Sequence, residues 1–445
     1  MKTLLGLLVG ALFFLSPVFS QQLKVSENNR HIVYTDGKPF FWLGDTAWEL
    51  FHRLDREEAD LYVQNRAEKG FTVIQAVVLA ELDGLNDPNP YGDKPLIDNN
   101  PDKPNEAYFK HVDYIVNKAN ELGIFMGMLP TWGDKFNKKW GVGPVVFTEA
   151  NAFNYGKFLG NRYKDKKIIW IMGGDRNPEN ESQLKIVRAM AKGIAEATAK
   201  KQLITYHPMG GSNSSQWFHQ DEWLDINMYQ SGHGEVNNQN YKKTLATYEM
   251  TPAKPVLDGE PCYEDHPINW NGQNGWFDAF DSRRAGWWSM LSGACGHTYG
   301  NHNIWQMWQP GRQPISAART PWQQSIDYPG AFEAGYMRAF FENIAWQTLT
   351  PATSLVKQGP NTHGMDVLAA SSVDGALLVA YSPYGSNFSL DLGKVKSEQL
   401  AASWFNPRNN SYVQLPNLQT GAIVQFDPPA DPVRGNDWVL MLMAK

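Results

Sequence analysis

Short apolar runs alternate with longer segments of helical periodicity over the first 350 residues of the chain. Each apolar run has the length of a strand, and each longer segment repeats its apolar positions every three or four residues. The strands are predicted at 40–44, 72–78, 124–130, 167–173, 202–207, 225–229, 255–260 and 294–299, with helices between them that include 56–69, 107–122, 150–162 and 181–200. Eight βα units in this order predict an α/β fold, the (β/α)8 or TIM barrel.

The pattern changes after residue 350. Short apolar stretches separated by Gly, Pro, Asn and Asp predict strands at 367–369, 376–381, 388–390, 412–415, 422–426 and 438–443. Such a series is typical of a small antiparallel β-sandwich. We therefore divide the chain into a catalytic barrel, 21–350, and a C-terminal β-sandwich domain, 351–445.

The first twenty residues have the features of a secretory signal peptide. Lys2 is followed by an apolar run over 4–15 and by small residues before Gln21. This run is too short to span a bilayer, and no cysteine follows it for lipid attachment. We expect an exported protein, periplasmic or secreted, that is neither inserted in a membrane nor lipid-anchored.

Charge and motifs exclude several classes of function. A net charge of -6 without a basic stripe gives no footprint for nucleic acid. Cys262 and Cys295 are the two cysteines, and we expect two free, buried thiols rather than a disulfide framework. Because metal-ligand and phosphate-binding motifs are absent from the sequence, we expect no metal and no cofactor. Nothing in the sequence indicates an obligate protein partner.

Two carboxylates stand just beyond predicted strands. Asp175 follows the fourth strand and Glu260 ends the seventh, and barrel enzymes keep their catalytic groups at this rim. Strands four and seven lie near opposite sides of a barrel, so the pair fits glycosidic bond cleavage with retention. We assign Asp175 as acid/base, which requires a raised pKa, and Glu260 as nucleophile. Asp258 is the nearest rival, but it lies deeper on the same strand face.

Polar and aromatic residues at the other strand ends are candidates for binding a sugar, since rings pack on sugar faces and polar groups fix hydroxyls. For Asp45 and Trp48 the alternatives are a helix cap and a core residue. The substrate-binding candidates are Asp45, Trp48, Gln75, Trp132, Arg176, His207, Tyr229, Gln230, Tyr299, Asn301 and Trp305.

Three segments, 41–48, 168–177 and 257–261, resemble glycoside hydrolase family 140, the apiosidase-like catalytic domain. The sequence after residue 350 is similar to the β domain that follows it in such proteins, which carries a collagen-binding label that nothing in this sequence supports. The resemblance implies a retaining hydrolase with Asp175 as acid/base and Glu260 as nucleophile. It also implies the apiose–galacturonic acid linkage of the pectin rhamnogalacturonan II as substrate. Gly174 stands where related barrels have an asparagine that addresses the sugar 2-hydroxyl, so this pocket must recognise its sugar differently.

The leading hypothesis is a retaining hydrolase acting on an oligosaccharide or polysaccharide, a pectic side chain. A second hypothesis keeps the barrel and its carboxylates but assigns another β-glycoside or furanoside. A third is a non-catalytic barrel that binds carbohydrate. Binding that survives loss of either carboxylate would favour the third hypothesis.

Overall fold

A computed structural model describes residues 22–360, 362–393, 395 and 397–445, so the predicted signal peptide lies outside the described residues. A small antiparallel sheet of β1 (Leu23–Val25), β2 (Ile32–Tyr34) and β3 (Pro39–Phe40) precedes the barrel. The barrel strands are β4 (Trp42–Thr46), β5 (Val73–Leu79), β6 (Phe125–Thr131), β7 (Ile168–Gly173), β8 (Ile204–His207), β9 (Asn227–Tyr229), β10 (Val256–Asp258) and β11 (Gly296–Tyr299).

These eight strands close into a parallel barrel. Six of them pair in the order β11-β4-β5-β6-β7-β8, and β9 pairs with β10. The two groups are joined by backbone hydrogen bonds of 2.9 Å, from Asp225 to Ile204 and from Cys295 to Val256. The predicted (β/α)8 fold is confirmed, and every strand lies within a few residues of its expected position.

The helices are α1 (Leu50–Arg53), α2 (Arg56–Glu68), α3 (Glu106–Glu121), α4 (Glu149–Tyr163), α5 (Glu181–Ala197), α6 (Ser215–Phe218), α7 (Asn240–Tyr248), α8 (Ala279–Leu291), α9 (His302–Trp305), α10 (Trp322–Ser325) and α11 (Pro329–Glu342). Local sequence explains their starts: Asp55 and Glu58 form a capping box on α2, and Asn180 caps α5. Within the described part of the chain, no helix is long and apolar enough to cross a membrane.

The second domain contains β12 (Leu349–Pro351), β13 (Val356–Gln358), β14 (Leu368–Ser372), β15 (Leu377–Ser382), β16 (Phe388–Asp391), β17 (Gln399–Asn406), β18 (Ser411–Gln419), β19 (Ile423–Phe426) and β20 (Trp438–Ala444). They form antiparallel sheets of six strands (β12-β14-β15-β20-β17-β18) and three strands (β13-β16-β19). Sequence analysis did not predict β12, β13 or β17. The residues of β17 are buried on both faces and show no regular apolar–polar alternation.

The six-stranded sheet is buried on both sides at its inner strands, such as β15, and is largely exposed at its edge strand β18. In β15, Leu378 and Ala380 belong to the core of the sandwich, whereas Leu377, Val379 and Tyr381 pack against helices of the barrel. This alternation follows from the two-residue repeat of a strand. The two domains therefore share one continuous apolar interface.

An ion pair crosses that interface. The guanidinium of Arg283 on α8 donates to both carboxylate oxygens of Asp437, at 2.8 and 2.6 Å, and also contacts Glu333. The hydroxyl of Tyr381 donates to the same Asp437 carboxylate at 3.0 Å. All these groups are buried, so the interface is held by directional bonds as well as apolar contact.

Both cysteines are free and buried, as expected. Burial raises the pKa of the Cys262 and Cys295 thiols, which keeps them protonated and unreactive.

Candidate active site

A cavity of about 880 Å³ opens at the carboxyl ends of the barrel strands. Its volume lies within the usual range for small-molecule sites. The side chains and backbone that line it are Trp48, Glu81, Leu82, Trp132, Trp140, Gly141, Val142, Asp175, Met209, Gly210, Gly211, Gln230, Ser231, Gly232, His233, Gly234, Glu260, Tyr263, Trp270, Trp305, Ile315 and Ser316. Asp175 and Glu260, from two different strands, thus meet in one cavity.

The position of Asp175 depends on the glycines before it. Gly173, Gly174 and Asp175 have φ angles of +93°, +100° and +51°, so three successive residues are in the left-handed region. A Cβ atom on Gly174 would lie 3.0 Å from both Trp132 and the backbone of Gly133. A side chain there would be both crowded and strained, so the turn requires glycine at this position. The turn directs the Asp175 carboxylate into the cavity.

Asp175 is a weakened acid. Burial and the negative charge of Glu260 raise its pKa from 3.8 to about 7, against the opposing influence of His207 and Arg176. Arg176 donates to the Asp175 carbonyl at 2.7 Å and reaches its carboxylate at 3.3 Å. The side chain of Asp175 is 19% exposed, so its carboxyl group still faces the open cavity. The Asp175 carboxyl therefore stays protonated over the mildly acidic pH range.

Glu260 is held as an anion by two histidines. Nε2 of His233 makes a 3.0 Å hydrogen bond to Oε1, and Nε2 of His207 lies 3.0 Å from Oε2, without hydrogen-bond alignment. Burial alone would raise the pKa of Glu260, but the contacts with His207 and His233 outweigh it and lower that pKa to about 2. Glu260 is therefore ionised wherever Asp175 is protonated.

Backbone donors fix the orientation of both imidazoles. The N–H of Asp175 donates to Nδ1 of His207 at 3.3 Å, and the N–H of Tyr263 donates to Nδ1 of His233 at 3.4 Å. A ring nitrogen that accepts a hydrogen bond carries a lone pair, so the proton of each neutral ring is on Nε2. The Nε2–H of His233 then donates to Glu260, whereas Nε2 of His207 lies beside Oε2 without forming an aligned bond.

The remaining walls combine aromatic faces with unpaired polar atoms. Trp48 and Trp132 lie 5.4 Å apart between ring centroids, and Trp305 adds a third ring. Nε1 of Trp132, Oε1 of Gln230 and the hydroxyl of Tyr263 are buried without a hydrogen-bond partner in the described chain. Buried polar groups are normally paired. Their presence on one cavity fits a ligand that has both apolar faces and many hydroxyls.

Several predicted binding residues lie outside this cavity. Side chains alternate along β4, and that of Asp45 points out of the barrel rather than into the cavity. There its carboxylate accepts a hydrogen bond of 2.5 Å from the hydroxyl of Tyr62 and pairs with Arg66. Gln75 is inside the barrel and donates to the carbonyl of Gly259 at 3.0 Å. It supports the backbone next to Glu260 without reaching the cavity.

The other displaced candidates are occupied by structural contacts. The hydroxyl of Tyr229 bonds to Thr244 at 2.6 Å, and that of Tyr299 donates to Glu264 at 2.5 Å. Asn301 caps α9 through a 2.9 Å bond from the N–H of Asn303.

Buried Arg176 lies under the ring of Trp140, and the rival carboxylate Asp258 accepts from the hydroxyl of Ser231 at 2.6 Å. Trp48, Trp132, Gln230 and Trp305 do line the cavity, with His207 behind Glu260.

Sequence reasoning missed some residues of the site. Glu81 follows β5 by two positions and could have been found by the rule that selected Asp175. His233, Trp140 and Tyr263 lie on loops between elements, where neither periodicity nor the strand-end rule indicates them. Among the described residues, no group of three or more His, Cys, Asp or Glu is arranged to hold a metal ion.

A (β/α)8 barrel with two oppositely tuned carboxylates at its carboxyl rim has the fold and site of a glycoside hydrolase. Comparison with known proteins agrees: residues 26–348 match the model described as "Apiosidase-like, catalytic domain", and the chain belongs to that family. Residues 350–443 match the model described as "Putative collagen-binding domain of a collagenase". Among curated protein sequences, none matches this chain.

Solved structures support the same class. A crystal structure described as a glycoside hydrolase family 5 from Bacteroides vulgatus ATCC 8482 is 30% identical, with a TM-score of 0.87 over 95% of this chain and 93% of that one. A second structure, described as a glycoside hydrolase, is 29% identical, with a TM-score of 0.87 over 96% and 97% of the two chains. The likeness extends through both domains.

Proposed function

We propose that this protein is a retaining glycoside hydrolase that cleaves the linkage between apiose and galacturonic acid in rhamnogalacturonan II. The observation that carries the proposal is the opposite tuning of two carboxyls in one cavity, with a pKa of about 7 for Asp175 and about 2 for Glu260. Between these values one group is an acid and the other an anion. A retaining mechanism needs this combination.

The chemistry follows from these charge states. A carboxylate oxygen of Glu260 attacks the anomeric carbon while Asp175 gives its proton to the leaving oxygen, and the glycosidic bond breaks. Oε1 is held by the aligned bond from His233, so Oε2 is the freer oxygen for attack. Asp175, now ionised, then removes a proton from water, which attacks the anomeric carbon and releases Glu260.

Support for the substrate comes from the family and from the pocket. The apiosidase-like model covers the barrel, and Gly174 removes the side chain with which related barrels address a 2-hydroxyl. No lysine or arginine is among the residues that line the cavity. A neutral sugar therefore fits its interior. The acidic leaving sugar would lie near Trp140, which exposed Lys138 and Lys139 precede, Lys139 being paired with Glu179.

The test uses rhamnogalacturonan II from which the terminal side-chain sugars have been removed. Wild type should release an apiose-terminated oligosaccharide, detected by mass, and NMR of the first product should show the anomeric configuration of the substrate. Glu260→Ala and Asp175→Ala should each lose at least about a thousandfold in rate. Glu222→Gln, an exposed acid-to-amide change, is the matched control.

Azide distinguishes the acid/base role of Asp175 from the nucleophile role of Glu260. In Asp175→Ala, azide should replace water in the second step and give a glycosyl azide of retained configuration, whereas in Glu260→Ala it should attack directly and give the inverted product. Binding of the polysaccharide without release by any form would favour a non-catalytic carbohydrate-binding barrel. Release of a different sugar would keep the mechanism and exclude the apiose assignment.

A further inference from the structure

Trp140 presents an exposed ring to the cavity. It is 57% exposed although it is a large apolar side chain. One side of the ring is fixed, because the guanidinium carbon of buried Arg176 lies 3.9 Å from its centroid. Arg176 in turn donates to the carbonyl of Asp175 at 2.7 Å. An exposed aromatic ring thus packs on the arginine that contacts Asp175, the residue that protonates the leaving oxygen.

Glu81 lines the same cavity, close enough to Asp175 and Arg176 for their charges to act on its carboxyl. That carboxyl makes no hydrogen bond to the described residues. Burial and the negative charges of Asp175, Glu49 and Asp134 raise its pKa well above 4.5. Glu49 and Asp134 are already engaged, with His52 and Lys135. A carboxyl group offers two oxygens to sugar hydroxyls, and a raised pKa favours the form that can also donate a hydrogen bond.

A second exposed tryptophan lines the cavity near the nucleophile. Trp270 is 51% exposed, and its ring contacts His266 and His233 with centroid distances of 4.4 and 5.7 Å. His233 is the residue that holds Glu260. Each exposed ring is therefore supported by a residue that touches one of the two carboxylates, Trp140 on the acid/base side and Trp270 on the nucleophile side.

We infer that Trp140 and Glu81 form the subsite for the leaving-group sugar, with the ring stacking on the sugar and the carboxyl bonding to its hydroxyls. This inference rests on the proposed function, because the acid/base must lie beside the oxygen that departs with that sugar. Apolar C–H faces pack on rings, and a neighbouring polar group fixes orientation. The subsite governs which aglycone the enzyme accepts.

The experiment compares two substrates that differ only in the leaving group. One is a pectic oligosaccharide whose apiose is linked to galacturonic acid. The other is apiosyl fluoride, whose C–F bond breaks as Glu260 attacks and whose fluoride leaves with the electron pair. Fluoride needs no proton from Asp175 and fills no sugar subsite. The measured quantity is the ratio of kcat/KM for the oligosaccharide to kcat/KM for the fluoride.

Trp140→Ala should lower this ratio about tenfold, the loss expected for one stacking contact. Glu81→Ala should lower it by a similar factor, and Glu81→Gln should restore part of it, because an amide still donates and accepts. Trp270→Ala, an equally exposed tryptophan, is the matched comparison and should keep the ratio near that of wild type, whatever its absolute rates.

An unchanged ratio in Trp140→Ala and Glu81→Ala, with wild type active on both substrates, would overturn the subsite alone. An equal fall in Trp270→Ala would show that the ring effect is not specific to the leaving-group side. If wild type cleaves neither substrate, the proposed function fails and the subsite with it.

Discussion

Replacing His233 by phenylalanine should shift the acidic limb of the pH–rate profile to higher pH. His233 donates a 3.0 Å hydrogen bond to Glu260, and this contact is one of those that lower the pKa of Glu260 to about 2. A hydrogen bond to a charged group contributes about 1.5–3 kcal/mol, which corresponds to about one to two pH units. The acidic limb of kcat/KM should therefore appear at about pH 3–4.

Phenylalanine preserves the shape of the site. The imidazole of His233 is stacked on His266 with centroids 4.1 Å apart and contacts Tyr263 at 4.4 Å, so an aromatic ring keeps these contacts and removes only the donor. The alkaline limb, set by loss of the Asp175 proton near pH 7, should stay in place and serves as an internal control.

The assay is kcat/KM for the pectic oligosaccharide from pH 2.5 to 9, with near-ultraviolet circular dichroism at each pH to establish that the protein is folded. Wild type should stay active at the lowest pH at which it is folded, whereas the variant should decline below about pH 4. A variant that keeps the wild-type acidic limb while folded would refute the argument that His233 tunes the nucleophile. A uniform fall at every pH would indicate a structural role only.

Three further predictions concern stability. Folding raises the pKa of Asp175 from 3.8 to about 7, so the native state keeps a proton that the unfolded state loses, and stability falls as pH rises between these values. Asp175→Asn should therefore stabilise the protein by up to about 4 kcal/mol above pH 7 and by almost nothing below pH 4. Thermal melts recorded across this pH range measure the difference. Gly174→Ala should lower the free energy of urea unfolding by about 1–3 kcal/mol and reduce activity, because the φ of +100° and the nearness of Trp132 both oppose a side chain. Unchanged kinetics would contradict the conclusion that this turn positions Asp175. Asp437→Ala should cost about 3–5 kcal/mol, since it leaves Arg283 buried with fewer partners; a melting temperature equal to wild type would show that the interdomain pair contributes little.

Periodicity in the sequence was sufficient to predict the barrel. Strand and helix repeats are local properties, and eight alternating units have few other ways to bury their apolar faces. The same reasoning placed Asp175 and Glu260 at the rim, because the carboxyl ends of parallel strands share one edge. It missed β17, whose two faces are both buried and which therefore has no pattern to read.

Tertiary structure decided which rim residues share the cavity. Asp45 and Tyr299 stand at strand ends just as Trp48 does, but strand alternation turns their side chains away from the cavity, to Tyr62 on α2 and to Glu264. The charge states of the two carboxyls also depend on distant parts of the chain, since Glu260 is held by His207 and His233. Sequence determines local backbone geometry, whereas burial and the pairing of charges arise only when remote segments meet.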